Sequence, residues 1–184
     1  MIGWLLVAVA GAGLCTACDH LHVVTGVLFY PHPVFWQQAW WVPLLFGAAS
    51  VAAVAGAGTV RRLCRGAPLA PPTSGQVAGD ALAFVTAYAF TAYGHTLPNV
   101  VGAVLIGFWL ARVLRGVTPW LVVYSIVIGL AGPLFEAFWS SLGFFHYRSP
   151  DLLGVPWWLP GIYLHVAFLA AGLETLVGNR GGSQ

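Results

Sequence analysis

The stretch ALAFVTAYAFTAYGHTLPNVVGAVLIGFWLARVL, residues 81–114, decides how many times this chain crosses a membrane. It is apolar for too long to be one crossing, which needs about 20 residues and tolerates roughly 17–25. GHTLPN, residues 94–99, interrupts it, and Gly followed by Pro-Asn favours a turn. The reading is two short helices, residues 77–93 and 97–113, joined by a tight hairpin.

Working outward, residues 2–18, 40–60, 119–144 and 157–177 supply four more crossings, for a total of six. Arg61, Arg62 and Arg65 then fall in the second connection, Arg112 and Arg115 in the fourth, and Arg180 in the tail. All of these lie on one face, with only Arg148 opposite, so the positive-inside rule places both termini in the cytoplasm. An odd number of crossings would scatter the arginines over both faces. Residues 61–76 form a cytoplasmic linker whose core, GAPLAPPTSG (residues 66–75), is rich in Pro and Gly. The expected architecture is one all-α, six-helix transmembrane domain over residues 1–184.

Composition supports a multi-pass membrane protein. Of 184 residues 59% are hydrophobic and 7% charged, with mean hydropathy +0.85. Soluble domains carry charge on about a quarter of their residues. A net charge of +2, scattered along the chain, gives no footprint for nucleic acid. Every basic residue is Arg, and with heavy Ala, Gly and Val usage this points to a GC-rich, bacterial genome and hence a bacterial cell membrane. Met1 opens an apolar run with no preceding basic residue, so residues 2–18 read as a retained first helix rather than a cleaved signal. Cys15, Cys18 and Cys64 make no disulfide framework.

CTACDHLH, residues 15–22, has zinc-like spacing, yet structural zinc sites join two separated segments and no second cluster follows. No metal and no cofactor is therefore expected. A carboxylate at membrane depth marks a functional site or a buried pair. Glu136 sits three residues after Pro133, which frees a backbone carbonyl; a structural hydrogen bond and a pocket role are equally open. Glu174, near the cytoplasmic end, reads as a snorkelling side chain. No G-x-S-x-G, H-x-x-x-H or phosphate loop occurs, and no catalytic residue is assigned. Small residues recur in the second crossing, Ala48–Ala52–Gly56 and Ala49–Ala53–Ala57, a face for close helix packing; whether within the chain or in a dimer or trimer stays open.

Two longer strings carry a resemblance. QAWWVPLLFGAASVAAVAG (residues 38–56) and GFFHYRSPDLLGVPWWLPGIYL (residues 143–164) are similar to the hallmark segments of the Insig family, the insulin-induced gene proteins. The matching positions are Ala39 to Pro43, then Gly143, Tyr147, Ser149, Pro150, Asp151, Trp158 and Pro160. FVTAY and PNVV, in the third and fourth crossings, match more weakly. The resemblance implies six transmembrane helices with cytoplasmic termini and a non-enzymatic, lipid-sensing role. Eukaryotic members reside in the endoplasmic reticulum, bind oxysterols and hold Scap or the sterol-synthesis reductase. Val101 stands where the family has a Gln, and no acidic residue lies between Asp80 and Glu136, so a Scap-type partner is not expected. The expected ligand is a neutral lipid of sterol or diacylglycerol type, in an apolar cleft near Trp40, Trp41, Phe46, His95, Asn99, Glu136, Phe138 and Trp139. Pro43, Ser149, Pro150, Asp151, Trp158 and Pro160 are read as a structural frame, with Asp151 pairing Arg148. The alternative is a small transporter or enzyme using His95 and Glu136 as a proton relay.

Overall fold

The computed structural model describes residues 1–178, so Arg180 lies outside the described residues. Six helices follow one another: α1 Ile2–Val24, α2 Val42–Leu63, α3 Ser74–Gly94, α4 Pro98–Leu114, α5 Pro119–Ser141 and α6 Leu159–Gly178. By length and composition α1, α2, α5 and α6 are each able to span a membrane; α4 is apolar but has 17 residues. The helices alternate in direction, and α6 packs against α2, α3, α4 and α5. One end of the bundle gathers Met1, the α2–α3 linker, the α4–α5 turn and Gly178. There Gly3 lies against Val177, and Arg61 bonds Glu174.

Several boundaries differ from the sequence reading for local reasons. α3 begins at Ser74 rather than 77, because Thr73 and Gln76 form a reciprocal capping box inside the Pro-rich linker. α1 continues from residue 18 to Val24, carrying Asp19 and His22 into the interior, where both find hydrogen bonds. α5 stops at Ser141 instead of 144 and runs unbroken through Pro133.

α1 and α5 end alike. After α1, Gly26 has φ +78°, its N–H bonds the Val23 carbonyl, and Val27 N–H bonds that of His22. After α5, Gly143 has φ +80°, its N–H bonds Ser140, and Phe144 N–H bonds Trp139. Both are left-handed glycine caps, which satisfy the last free carbonyls of a helix. The chains leaving them pair as antiparallel strands β1 (Leu28–Phe29) and β2 (His146–Tyr147), with Leu28 opposite Tyr147. This short ladder, which no periodicity in the sequence announced, fixes Tyr30 and Tyr147 over the end of the bundle opposite the termini.

The small-residue rows of α2 divide. Ala57 is fully buried, Gly47 lies 3.1 Å (as a built Cβ) from the Ala8 carbonyl of α1, and Ala48 and Ala52 face outward. Glu174 does not reach outward alone; it pairs with Arg61 at 2.9 Å. Arg148 does not pair with Asp151 but lies against Gly26, while Asp151 accepts the Trp157 N–H at 3.2 Å and so caps the turn before α6.

Candidate functional site

A cavity of about 60 Å³ lies between α1, α2, α3, α5 and α6, under the β1–β2 ladder. At roughly 10–15 Å³ per water it has room for a few waters or for the head of a larger molecule. Its wall is mixed. Trp41, Leu45, Phe46 and Ala49 come from α2 and the residue before it, and Phe135 and Trp139 from α5; Asp19, Glu136, His22 and four tyrosines supply polarity.

Each carboxylate in this chamber is held by neutral donors. Asp19, buried near the end of α1, accepts from the Tyr30 hydroxyl at 2.8 Å and from the Gln38 amide at 2.6 Å. Gln38, itself fully buried, also donates to the Thr16 carbonyl. Glu136 accepts from the hydroxyls of Tyr147 and Tyr163, the latter at 2.5 Å. Neither carboxylate has an ion-pair partner among the described residues. That Tyr163 reaches Glu136 depends on Gly132, one turn earlier on α5: a Cβ there would sit 2.2 Å from the Tyr163 ring.

The third polar group is His22, buried and stacked on Tyr88 with ring centroids 4.9 Å apart. Its Nε2 lies 2.8 Å from the Thr91 hydroxyl, and that hydroxyl donates to the Tyr88 carbonyl at 2.9 Å. A hydroxyl has one proton, so Nε2 carries the hydrogen of the His22–Thr91 bond and Nδ1 of a neutral ring is left as an acceptor. Donors from Tyr30, Gln38, Tyr147, Tyr163 and His22 are thus consumed within the protein. The residues that line the space thus include two carboxylates and His22, whose own donors and bonded partners are spent inside the protein, and Tyr88, whose hydroxyl has no hydrogen-bond partner among the described residues.

Of the residues singled out from sequence, Trp41, Phe46, Glu136 and Trp139 line the chamber together. Trp41 and Trp139 also touch, with centroids 5.5 Å apart. The other four lie elsewhere. Trp40 is exposed, because the backbone at the start of α2 turns its neighbour Trp41 inward. Phe138 is 58% exposed, since Glu136 and Trp139 are three apart on one helical face and Phe138 falls off it. His95 caps α3, its Nδ1 bonded to the Ala92 carbonyl, and Asn99 is exposed in the first turn of α4. Neither His95 nor Asn99 lines the chamber, so the His95–Glu136 relay pair is not brought together there. Among the frame residues, Trp158 is buried against His22, with centroids 6.0 Å apart. Pro43 stands in the first turn of α2, Pro160 in that of α6, and Ser149 and Pro150 in the exposed turn before it.

The cysteines and histidines of residues 15–22 diverge: His20 bonds the Trp36 carbonyl and His22 bonds Thr91. Among the described residues no three His, Cys, Asp or Glu side chains come close enough to hold a metal.

Comparison with known proteins gives a consistent result. No family model matches the chain. The chain is 31% identical over 178 residues to an Insig protein homolog of Mycolicibacterium vanbaalenii, a match covering 90% of this chain and 82% of that protein. The crystal structure at 1.9 Å of MvINS, a mycobacterial Insig homolog from Mycobacterium vanbaalenii, has TM-score 0.82 at 27% identity, covering 100% of this chain and 98% of the other. A cross-linked trimer of a cysteine variant of MvINS matches equally well. With so similar a relative across most of both sequences and a shared helical architecture, this chain belongs to the Insig family.

Proposed function

We propose that this protein is a non-enzymatic membrane lipid sensor whose chamber holds the free hydroxyl of a neutral lipid of diacylglycerol or sterol type. The observation that carries the reading is the donor–acceptor balance around the cavity. Asp19, Glu136 and His22 Nδ1 offer lone pairs, and Tyr88 offers one hydrogen. A ligand hydroxyl both donates and accepts, and so complements this set; an ester carbonyl alone meets one donor and several repelling oxygens. An anionic head would meet two carboxyl groups in a low-dielectric space, an unfavourable approach.

The chamber is sized for a head and not a whole lipid. The tails therefore leave between α2 and α5, past Ala49 and Phe135, which are exposed to the surrounding bilayer. A mostly apolar wall with few convergent polar groups is the usual composition of a small-molecule site. In this reading Trp41, Phe46, Phe135 and Trp139 grip the glycerol backbone or ring system. No nucleophile with an adjacent base lies in the chamber, which favours sensing over turnover. The arginine-rich end faces the cytoplasm by the positive-inside rule. A homotrimer, as crystallised for MvINS, is the assembly we assign.

Mass spectrometry of organic extracts from the purified protein, beside an unrelated membrane protein prepared identically, tests the reading. One hydroxyl-bearing neutral lipid enriched near one per chain is the expected result. A bulk profile equal to the control, together with no uptake of added diacylglycerol or sterol, would overturn it.

A further inference from the structure

A second cavity, of about 340 Å³, lies at the opposite end of the bundle, where α2 ends and α5 begins. It is lined by Cys64, Gly66, Ala67, Thr118, Pro119, Trp120 and Val123, and its volume falls within the roughly 300–1,000 Å³ typical of ligand pockets. The lining is almost wholly apolar, and Cys64, Ala67, Pro119 and Val123 are exposed at its mouth. The Thr118 hydroxyl oxygen is buried and has no hydrogen-bond partner.

Charge sits on both chain segments that build this cavity. Arg65 lies between the lining residues Cys64 and Gly66, and Arg115 lies three residues before Thr118. Both are exposed, and neither is ion-paired among the described residues, where Arg61 and Arg112 hold the two ion pairs. Arg65 is also conformationally unusual. α1, α4 and α5 each end with glycine in the left-handed position, Gly26, Gly116 and Gly143. α2 places Arg65 there, at φ +51°, with the same two closing hydrogen bonds, Arg65 N–H to Arg62 and Gly66 N–H to Arg61. A side chain in this position is disfavoured relative to glycine. The neighbouring glycine is not free to exchange with it, because a Cβ on Gly66 would sit 2.3 Å from Trp120.

We propose that this cavity takes an acyl chain of an anionic phospholipid from the adjacent leaflet, with the lipid phosphate against Arg65 and Arg115. The apolar lining accounts for the chain, and the two unpaired guanidinium groups at the membrane boundary account for the phosphate. This site is separate from the chamber and is independent of the lipid held there.

Native mass spectrometry of the detergent-solubilised protein, titrated with phosphatidylglycerol or with phosphatidylcholine of the same chains, tests the proposal. Phosphatidylglycerol should be retained preferentially. The double variant Arg65→Asn, Arg115→Gln should lose that preference, with about a fivefold weakening for each arginine; Asn keeps the left-handed backbone accessible. Val123→Trp, at an exposed position on the cavity rim, should abolish retention while the thermal midpoint stays unchanged. Equal retention of the two lipids, or full displacement by soluble glycerophosphoglycerol without acyl chains, overturns the proposal. So does lipid loss that follows a change of oligomeric state in the same spectra, which would make the cavity a subunit contact.

Discussion

Four of the five carboxyl groups in this chain lie between helices, and the two ends of the bundle treat them differently. At the end that carries the termini, Asp80 is paired with Arg112, and Glu174 with Arg61. Arg112 is further fixed by lying 3.6 Å over the Phe168 ring. These acids tie α3 to α4 and α2 to α6. At the opposite end, Asp19 and Glu136 meet hydroxyls and an amide but no cation. An ion pair closes on itself and leaves little for a ligand. A carboxylate held only by neutral donors keeps lone pairs and field to offer. Under the proposed function, the difference separates a structural use of buried charge from a binding use, in residues that look alike in sequence.

Substitutions can break or sharpen that contrast. The largest loss of stability is expected from Asp19→Ala, which leaves the Tyr30 hydroxyl and one of the two Gln38 amide hydrogens buried and unpaired, the other still bonded to the Thr16 carbonyl, at about 1–3 kcal/mol for each lost partner. Asp19→Asn, able to accept the same two bonds, should recover most of it; both are read from thermal unfolding in detergent. Next is Arg112→Ala, at about 2 kcal/mol, because the remaining Asp80 and the Phe168 face lose their partner. Replacing both Asp80 and Arg112 by Leu should restore stability without changing lipid retention. A double variant that retains no lipid would contradict the separation of the two ends.

Gly132→Ala should cost about 1–3 kcal/mol by pushing the Tyr163 ring aside. It should also weaken lipid binding, since Glu136 then loses one of its two positioning hydroxyls. Glu136→Gln is expected to change stability by less than about 1 kcal/mol while lowering affinity for a hydroxyl-bearing lipid about tenfold, because bonds to charged groups exceed neutral ones by that order. Phe138→Ala, on the outward face of the same helix, should stay within about 0.5 kcal/mol and leave binding untouched.

The sequence revealed the six helices because hydrophobic length and arginine placement are local signals. Glu136 and Trp139 were legible for a related reason: a lone carboxylate in an apolar run stands out, and the residue three further shares its face. Trp41 and Phe46 lie in QAWWVPLLFGAASVAAVAG, residues 38–56, one of the two strings that carry the family resemblance. Asp19 lies inside and His22 at the end of CTACDHLH, residues 15–22, whose zinc-like spacing draws the eye to its cysteines and histidines, and hydropathy ends the first helix before them. Nothing local shows that Thr91, Tyr30 and Gln38 wait to satisfy them. Tyr30 and Tyr147 are far apart in the chain and meet the chamber only because α1 and α5 end in the same glycine cap and their exits pair as β1–β2. Gly26 and Gly143 were the available clues. His95 and Asn99 attracted attention because polar residues in an apolar hairpin are conspicuous, but a hairpin between two helices sits at the bundle's rim.

The central claim, that the chamber recognises a lipid hydroxyl through uncompensated acceptors, is tested most directly by a matched pair of lipids. Competition between 1,2-diacylglycerol and the same molecule acetylated at its free hydroxyl, measured by native mass spectrometry, isolates that one group. A preference of at least about tenfold for the free hydroxyl, lost in Glu136→Gln, is the predicted result. Equal retention of both lipids, unaffected by the substitution, would contradict it.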